Sequence, residues 1–188
     1  MLNTFYDKFI FMSALHYRNN NFFLMNVPFL MMPNALLVTL VGQENAEINR
    51  DIYYAVKEAT RKVLVKQFEL DFANHLQQSI HFVEEYFTAS GWGLVNHVQV
   101  DVENKRAIVV VTNSPFALPL NGKAKTEVDH FLRGVLAGMF SDAFKADVEC
   151  VETECYTLAG HDCKFVIQAA EHFDFSKPET RRQLKVEV

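Results

Sequence analysis

At 188 residues, 49% of them hydrophobic, the chain is long enough to bury one sizeable core and too short for two comfortable domains. A net charge of −5 supplies no basic field to neutralise phosphates, which argues against nucleic acid as a direct partner. Three cysteines are an odd number and too few for a disulfide-stapled secreted fold, and no signal-peptide pattern opens the chain, so a cytoplasmic protein is expected.

Residues 3–17 mix Phe, Ile, Met and Leu with Asp7 and Lys8, which suits a first short helix or an arm docked on a partner. RNNN at 18–21 predicts a turn, because asparagine tolerates left-handed backbone. Residues 22–33, FFLMNVPFLMMP, are too interrupted by proline for a helix and predict one or two edge strands. The run 22–41 has the length of a membrane span, but Pro28 and Pro33 would strand backbone groups that lipid cannot satisfy, and no span is expected. Asn34 is placed to cap a short helix through Val41, ended by Gly42.

From the capping residue Asn45, the series Ile48, Ile52, Val56, Ala59, Val63 and Leu64 predicts an amphipathic helix with those residues buried. A second helix follows with Leu76, Ile80, Val83 and Phe87 on one face, stopped by Gly91. The period then changes to two: Val98, Val100 and Val102 alternate with polar residues, ENKR turns, and residues 107–112 return as the second strand of a hairpin. NSPFALPLNG predicts a loop. Helical spacing resumes through Val128, Phe131, Leu132, Val135 and Met139, where small Gly134, Ala137 and Gly138 admit another backbone closely. ADVECVETEC and CKFVIQA read as two further strands joined by YTLAGHD, and Ser176, Pro178 and Glu179 have the pattern of a capping box. The sum is an α+β fold, with helices packed on one face of a mostly antiparallel sheet.

Glu152, Cys155 and Cys163 have donor types that zinc accepts, and a turn containing Gly160 would bring the sulfurs together. Strict strand alternation would point Glu152 and Cys155 to opposite faces, so convergence requires a bulge or an early strand end near Thr153. Asp129 and His130 on the preceding helix are available as a fourth donor. Spacing alone leaves three alternatives: a metal site, inert buried thiols, or a redox pair or catalytic thiol with His161 as base.

Residues 131–167, FLRGVLAGMFSDAFKADVECVETECYTLAGHDCKFVI, resemble the 4-vinyl reductase, or hydrocarbon-binding, domain family. The family pattern is a cysteine ahead of a small-residue helix, then Glu-x-x-Cys on a strand, a glycine turn and Cys-x-Phe. VVVTNSPFA at 109–117 is similar to the loop that precedes the helix in that family. The resemblance implies a fold related to vesicle-tethering TRAPP subunits, commonly homodimeric, with a pocket for a small apolar molecule. In aromatic-sensing regulators of this family the domain binds phenolic or hydrocarbon effectors beside a structural zinc, and in photosynthetic bacteria relatives accompany bacteriochlorophyll synthesis. Carried over by position, Glu152, Cys155 and Cys163 would be zinc ligands. The first cysteine of the pattern falls on Asp129, which can ligate through oxygen, as can the adjacent His130.

On this basis the chain is expected to be a single ligand-binding domain over 1–188, with 1–43 as an arm with edge strands and 44–188 as the helical and sheet core. Candidate pocket walls are Phe82, Phe87, Trp92, Phe116, Phe131, Leu132 and Phe165, although ordinary core packing is the simpler account of any one ring. Beside such a domain there is no room for an ATPase or a helix-turn-helix module, so a signal would pass through a partner or through dimer geometry. Two rival roles remain: an accessory in tetrapyrrole vinyl reduction, and a dimeric scaffold without ligand. The absence of a dinucleotide-binding glycine fingerprint leaves a reductase without an evident hydride source.

Overall fold

The structure, a computed structural model, describes residues 15–24, 27–42, 44–67, 74–158 and 160–185. The expected helix or arm over 3–17 lies outside these residues except at 15–17, which are strand. Strands β1 (Leu15–Arg18), β2 (Asn21–Leu24) and β3 (Val27–Phe29) form a small antiparallel sheet in that order. Its first turn is made by Asn19 and Asn20 at φ 49° and 61°, the left-handed pair that a two-residue hairpin needs. Helix α1 (Asn34–Val41) follows. Here Pro33 occupies the cap position, and the Asn34 side chain instead donates to the Pro115 carbonyl at 2.6 Å. The expected Asn34 cap is therefore replaced by a tie to the 113–117 loop.

Helix α2 (Ala46–Ala59) is capped by Asn45, whose side chain accepts from the Glu47 and Ile48 amides, and it runs on through a π-helical turn (Thr60–Leu64) into a last turn, Val65–Gln67. Its buried face is not the aliphatic one. Asn49, Tyr53, Lys57 and Thr60 are buried, whereas Ile48 and Val63 are 41% and 46% exposed. The polar face goes inward because it finds partners there: Tyr53 Oη donates to Glu149, and Lys57 Nζ lies 2.8 Å from Glu149 Oε1 and 3.1 Å from Asp147 Oδ1. The π-turn then shifts the phase of every later position, which puts Val65 inside and Val63 outside.

Helix α3 (Leu76–Ala89) precedes the hairpin of β4 (Leu94–Asp101) and β5 (Arg106–Thr112); α4 (His130–Ala143), β6 (Glu149–Glu154), β7 (Cys163–Gln168) and α5 (Pro178–Gln183) complete the order. The second sheet is antiparallel throughout, ordered β4-β5-β7-β6. Alternate residues of β5 (Ala107, Val109, Val111) and β7 (Cys163, Phe165, Ile167) are buried on the face that carries the helices, as period-two burial requires. Helices α3 and α4 contact this sheet, and α2 packs behind α4. A Cβ on Gly134 would lie 2.7 Å from the Tyr53 carbonyl oxygen, and one on Gly138 2.6 Å from that of Lys57, so only glycine allows the two helices to approach this closely.

At the carboxyl end the expected capping box does not form. Lys177 holds the cap position of α5 without a side-chain bond, and the Ser176 amide is drawn to Asp174 Oδ1 at 2.9 Å. Among the described residues no helix is long and apolar enough to cross a membrane.

Candidate metal centre and apolar cavity

The register of β6 against β7 decides where the acidic and sulfur groups point. Glu152 pairs with Phe165 and Glu154 with Lys164, which leaves Thr153 as an extra residue in a bulge. The bulge turns Cys155 to the same side as Glu152. Cys163, opening β7, and Asp129, in the cap position of α4, complete the group. The donor atoms of Asp129, Glu152, Cys155 and Cys163 all lie within 4.8 Å of one another, and all four residues are buried. His130 is not among them: its Nδ1 lies 3.3 Å from Arg133 Nη1, and burial, aided by the Arg133 charge, pushes its pKa down to about 3, leaving a neutral ring.

The cluster is held firmly and satisfied incompletely. Ser114 Oγ donates to Asp129 Oδ1, the Asp129 amide donates to Glu152 Oε2 at 3.2 Å, and Cys155 Sγ is 2.9 Å from Thr157 Oγ1. Asp129 Oδ2 and Glu152 Oε1 are buried with no hydrogen-bond partner. Burial, and for Glu152 also the neighbouring Asp129 charge, raises both carboxyl pKa values. A hydrogen bond with Cys163 lowers Cys155 to about 6, while the same contact and burial push Cys163 upward. Four acidic groups thus share one buried spot where they cannot all ionise alone. A divalent cation fits this donor set: it would meet the orphaned oxygens and favour the ionised form of every member.

The remaining cysteine, Cys150, is also buried, on the strand residue next but one to Glu152, and lies outside the group. Its thiol is pushed upward by burial. Among the described residues all three cysteines are free.

Beside the cluster, on the inner face of α4, is an apolar cavity of about 30 Å³. Ile80, Val83 and Phe87 of α3, Trp92, Val95 and Val98, Val109 and Val111 of β5, and Leu132, Leu136, Met139 and Phe140 of α4 line it, with Glu84 as the one charged side chain. Of the seven wall candidates named from the sequence, Phe87, Trp92 and Leu132 are in this lining. Phe116 and Phe131 pack against Trp92 with ring centroids 6.1 and 5.6 Å away and form a layer behind it. Phe82 stacks on Tyr86, and Phe165 is fully buried opposite Glu152. Sequence reasoning did not single out Ser114, Arg133, Met139 or Phe140 as site residues. Ser114 lay within the quoted NSPF loop, where its turn position is a signal, since its Oγ accepts from the Phe116 and Ala117 amides.

An antiparallel sheet with helices on one face, and a carboxylate and sulfur cluster closing its last hairpin, is the arrangement of a 4-vinyl reductase-type domain. Residues 108–169 match the family model of the 4-vinyl reductase domain, and the chain contains such a domain. No curated protein matches the chain. Its fold is similar to the crystal structure of the phenol-responsive sensory domain of the transcription activator PoxR with phenol, at TM-score 0.68 and 13% identity over 99% of this chain and 100% of that one. Subunit 3 of a trafficking protein particle complex from Naegleria fowleri, covalently bound to palmitic acid, matches at TM-score 0.48 and 14% identity over 72% of this chain and 93% of that one. A vinyl-4-reductase family protein from Methanocaldococcus jannaschii matches at TM-score 0.44 and 16% identity over 74% of this chain and 96% of that one.

Proposed function

We propose that this protein is a small-molecule-sensing domain that takes an apolar, preferably phenolic, ligand between α3, α4 and the sheet. The observation that carries this reading is the cavity, apolar on every side except Glu84. In this state it has room for little more than one or two water molecules, so binding requires the walls to part. Met139 is the wall best able to re-pack, being unbranched, and Glu84 is placed to accept a phenolic O–H at the mouth. The fold shared with the phenol-responsive domain makes phenols the first ligands to try. Phenol, toluene, a fatty acid and a tetrapyrrole, each titrated against thermal unfolding, test the reading. Phenol at about a hundredfold its Kd should raise Tm by roughly 5 °C or more, and toluene by less. No shift with any of the four would overturn it.

The same reading assigns zinc to Asp129, Glu152, Cys155 and Cys163 as a structural ion. Bound there, it would supply charge neutralisation and a cross-link, with no position left for a substrate. The residues themselves define what it would join: the start of α4, which borders the cavity, to the bulged end of β6 and the start of β7.

The exposed run Leu30, Met31, Leu36 and Leu40, from 48% to 77% accessible, favours a homodimer, because a three-stranded sheet and one short helix bury too little on their own. It also supports a second reading, a dimeric scaffold, if no ligand shifts Tm. Native mass spectrometry reads both features at once. A dimer carrying one zinc per chain is expected; a zinc-free monomer would refute both assignments.

A further inference from the structure

The carboxyl-terminal stretch does more than cover a sheet edge. Gln183, 1% exposed, lays its side-chain amide along the free edge of β6: Oε1 accepts from the Glu152 amide at 2.8 Å and Nε2 donates to the Glu152 carbonyl at 2.9 Å. One side chain thus does for Glu152 what a neighbouring strand would do, and Glu152 is one of the four cluster donors. Arg182 reaches the other carboxylate branch: its Nη2 and Nε lie 2.8 and 3.3 Å from the Glu127 carboxylate, two residues ahead of Asp129. Arg133, fully buried on α4, closes the loop, donating to the Cys150 carbonyl at 2.8 and 2.9 Å and to the Gln183 carbonyl at 3.0 Å. Leu184, 1% exposed, anchors the end in the core.

We propose that residues 178–185 form a clasp whose docking is coupled to metal occupancy of the cluster, with Gln183 and Arg133 as positioning residues for the two carboxylate donors. The proposal rests on the metal reading of that cluster. Its physical basis is reciprocity: if docking fixes Glu152 and the approach to Asp129 in the metal-binding arrangement, metal must in turn favour the docked clasp. None of the clasp residues lines the cavity, so the carboxyl end reports on the cluster and not directly on the ligand.

The full chain, wild type and Gln183→Met, is tested for Zn²⁺ affinity by competition with a chromophoric chelator. Methionine keeps the length of the side chain and removes both amide bonds. Wild-type amide exchange is followed with Zn²⁺ and after chelation, which keeps the test independent of how the variant folds. The expected result is an affinity about tenfold lower or worse in Gln183→Met. Exchange in residues 178–185 should accelerate when zinc is removed, while residues 94–112 hold their rate. A wild-type chain that takes up no zinc overturns both the metal reading and the clasp. Zinc bound equally well by both chains, or exchange in 178–185 indifferent to zinc, overturns the clasp alone.

Discussion

The acid and sulfur cluster and the apolar cavity lie on one helix, α4, and are built on opposite principles. At the cluster every group is aimed: a bulge turns Cys155, Ser114 orients one Asp129 oxygen, and Gln183 holds both main-chain groups of Glu152. At the cavity only side-chain volume acts, through Leu132, Leu136, Met139 and their neighbours, with no hydrogen bond to fix any wall. Hydrogen bonds and charge lose their value within a few tenths of an ångström, whereas dispersion contacts re-form when a side chain changes rotamer. The cluster is therefore the fixed point of α4 and the cavity the adjustable one. That division suits a sensor, which needs a deformable site next to a rigid reference.

Breaking the fixed point should have the largest effect. Cys155→Ser leaves the shape of the hairpin intact but removes a soft donor from a group that has only two sulfurs, and it should abolish stoichiometric zinc. With zinc at about a thousandfold its wild-type Kd, the lost stabilisation amounts to about 4 kcal/mol. Unfolding of wild type and variant, each with zinc and with chelator, checks this: the two should differ strongly with zinc and only slightly without it. Equal Tm values in zinc would contradict the assignment.

How far such a contrast is visible in the sequence depends on how local its causes are. The β4–β5 hairpin, α3 and the required bulge near Thr153 all follow from alternation within a few residues, and the structure has each of them. The buried face of α2 did not follow, because Tyr53 and Lys57 go inward to meet Glu149 from a strand far along the chain, and a π-turn then resets the phase. The Glu152, Cys155 and Cys163 triad was legible from donor type and spacing, and Asp129 from its place ahead of the small-residue helix. Gln183 was not, since an amide that imitates a strand neighbour leaves no periodic trace. Counting rings indicated an aromatic interior, but only packing decides that Phe87 and Trp92 face the void while Phe116 and Phe131 stand behind.

The adjustable site offers a smaller and more discriminating change. Leu136 lines the cavity from the middle of α4 and is 4% exposed, so Leu136→Ala removes apolar contacts and adds to an existing void. Leucine-to-alanine changes in cores cost about 2–5 kcal/mol, and the lower part of that range applies where one side already faces empty space. The same truncation opens room that an aromatic ligand needs, so part of the expansion cost disappears from its binding equilibrium. Thermal unfolding should then show a lower Tm for the free variant, together with a larger upward shift by phenol than in wild type, while zinc content is unchanged. If the phenol shift shrinks along with the stability, Leu136 contributes contacts to a ligand already accommodated. If zinc is lost as well, α4 transmits disturbance from wall to cluster, and the separation between a rigid and a yielding site on one helix fails.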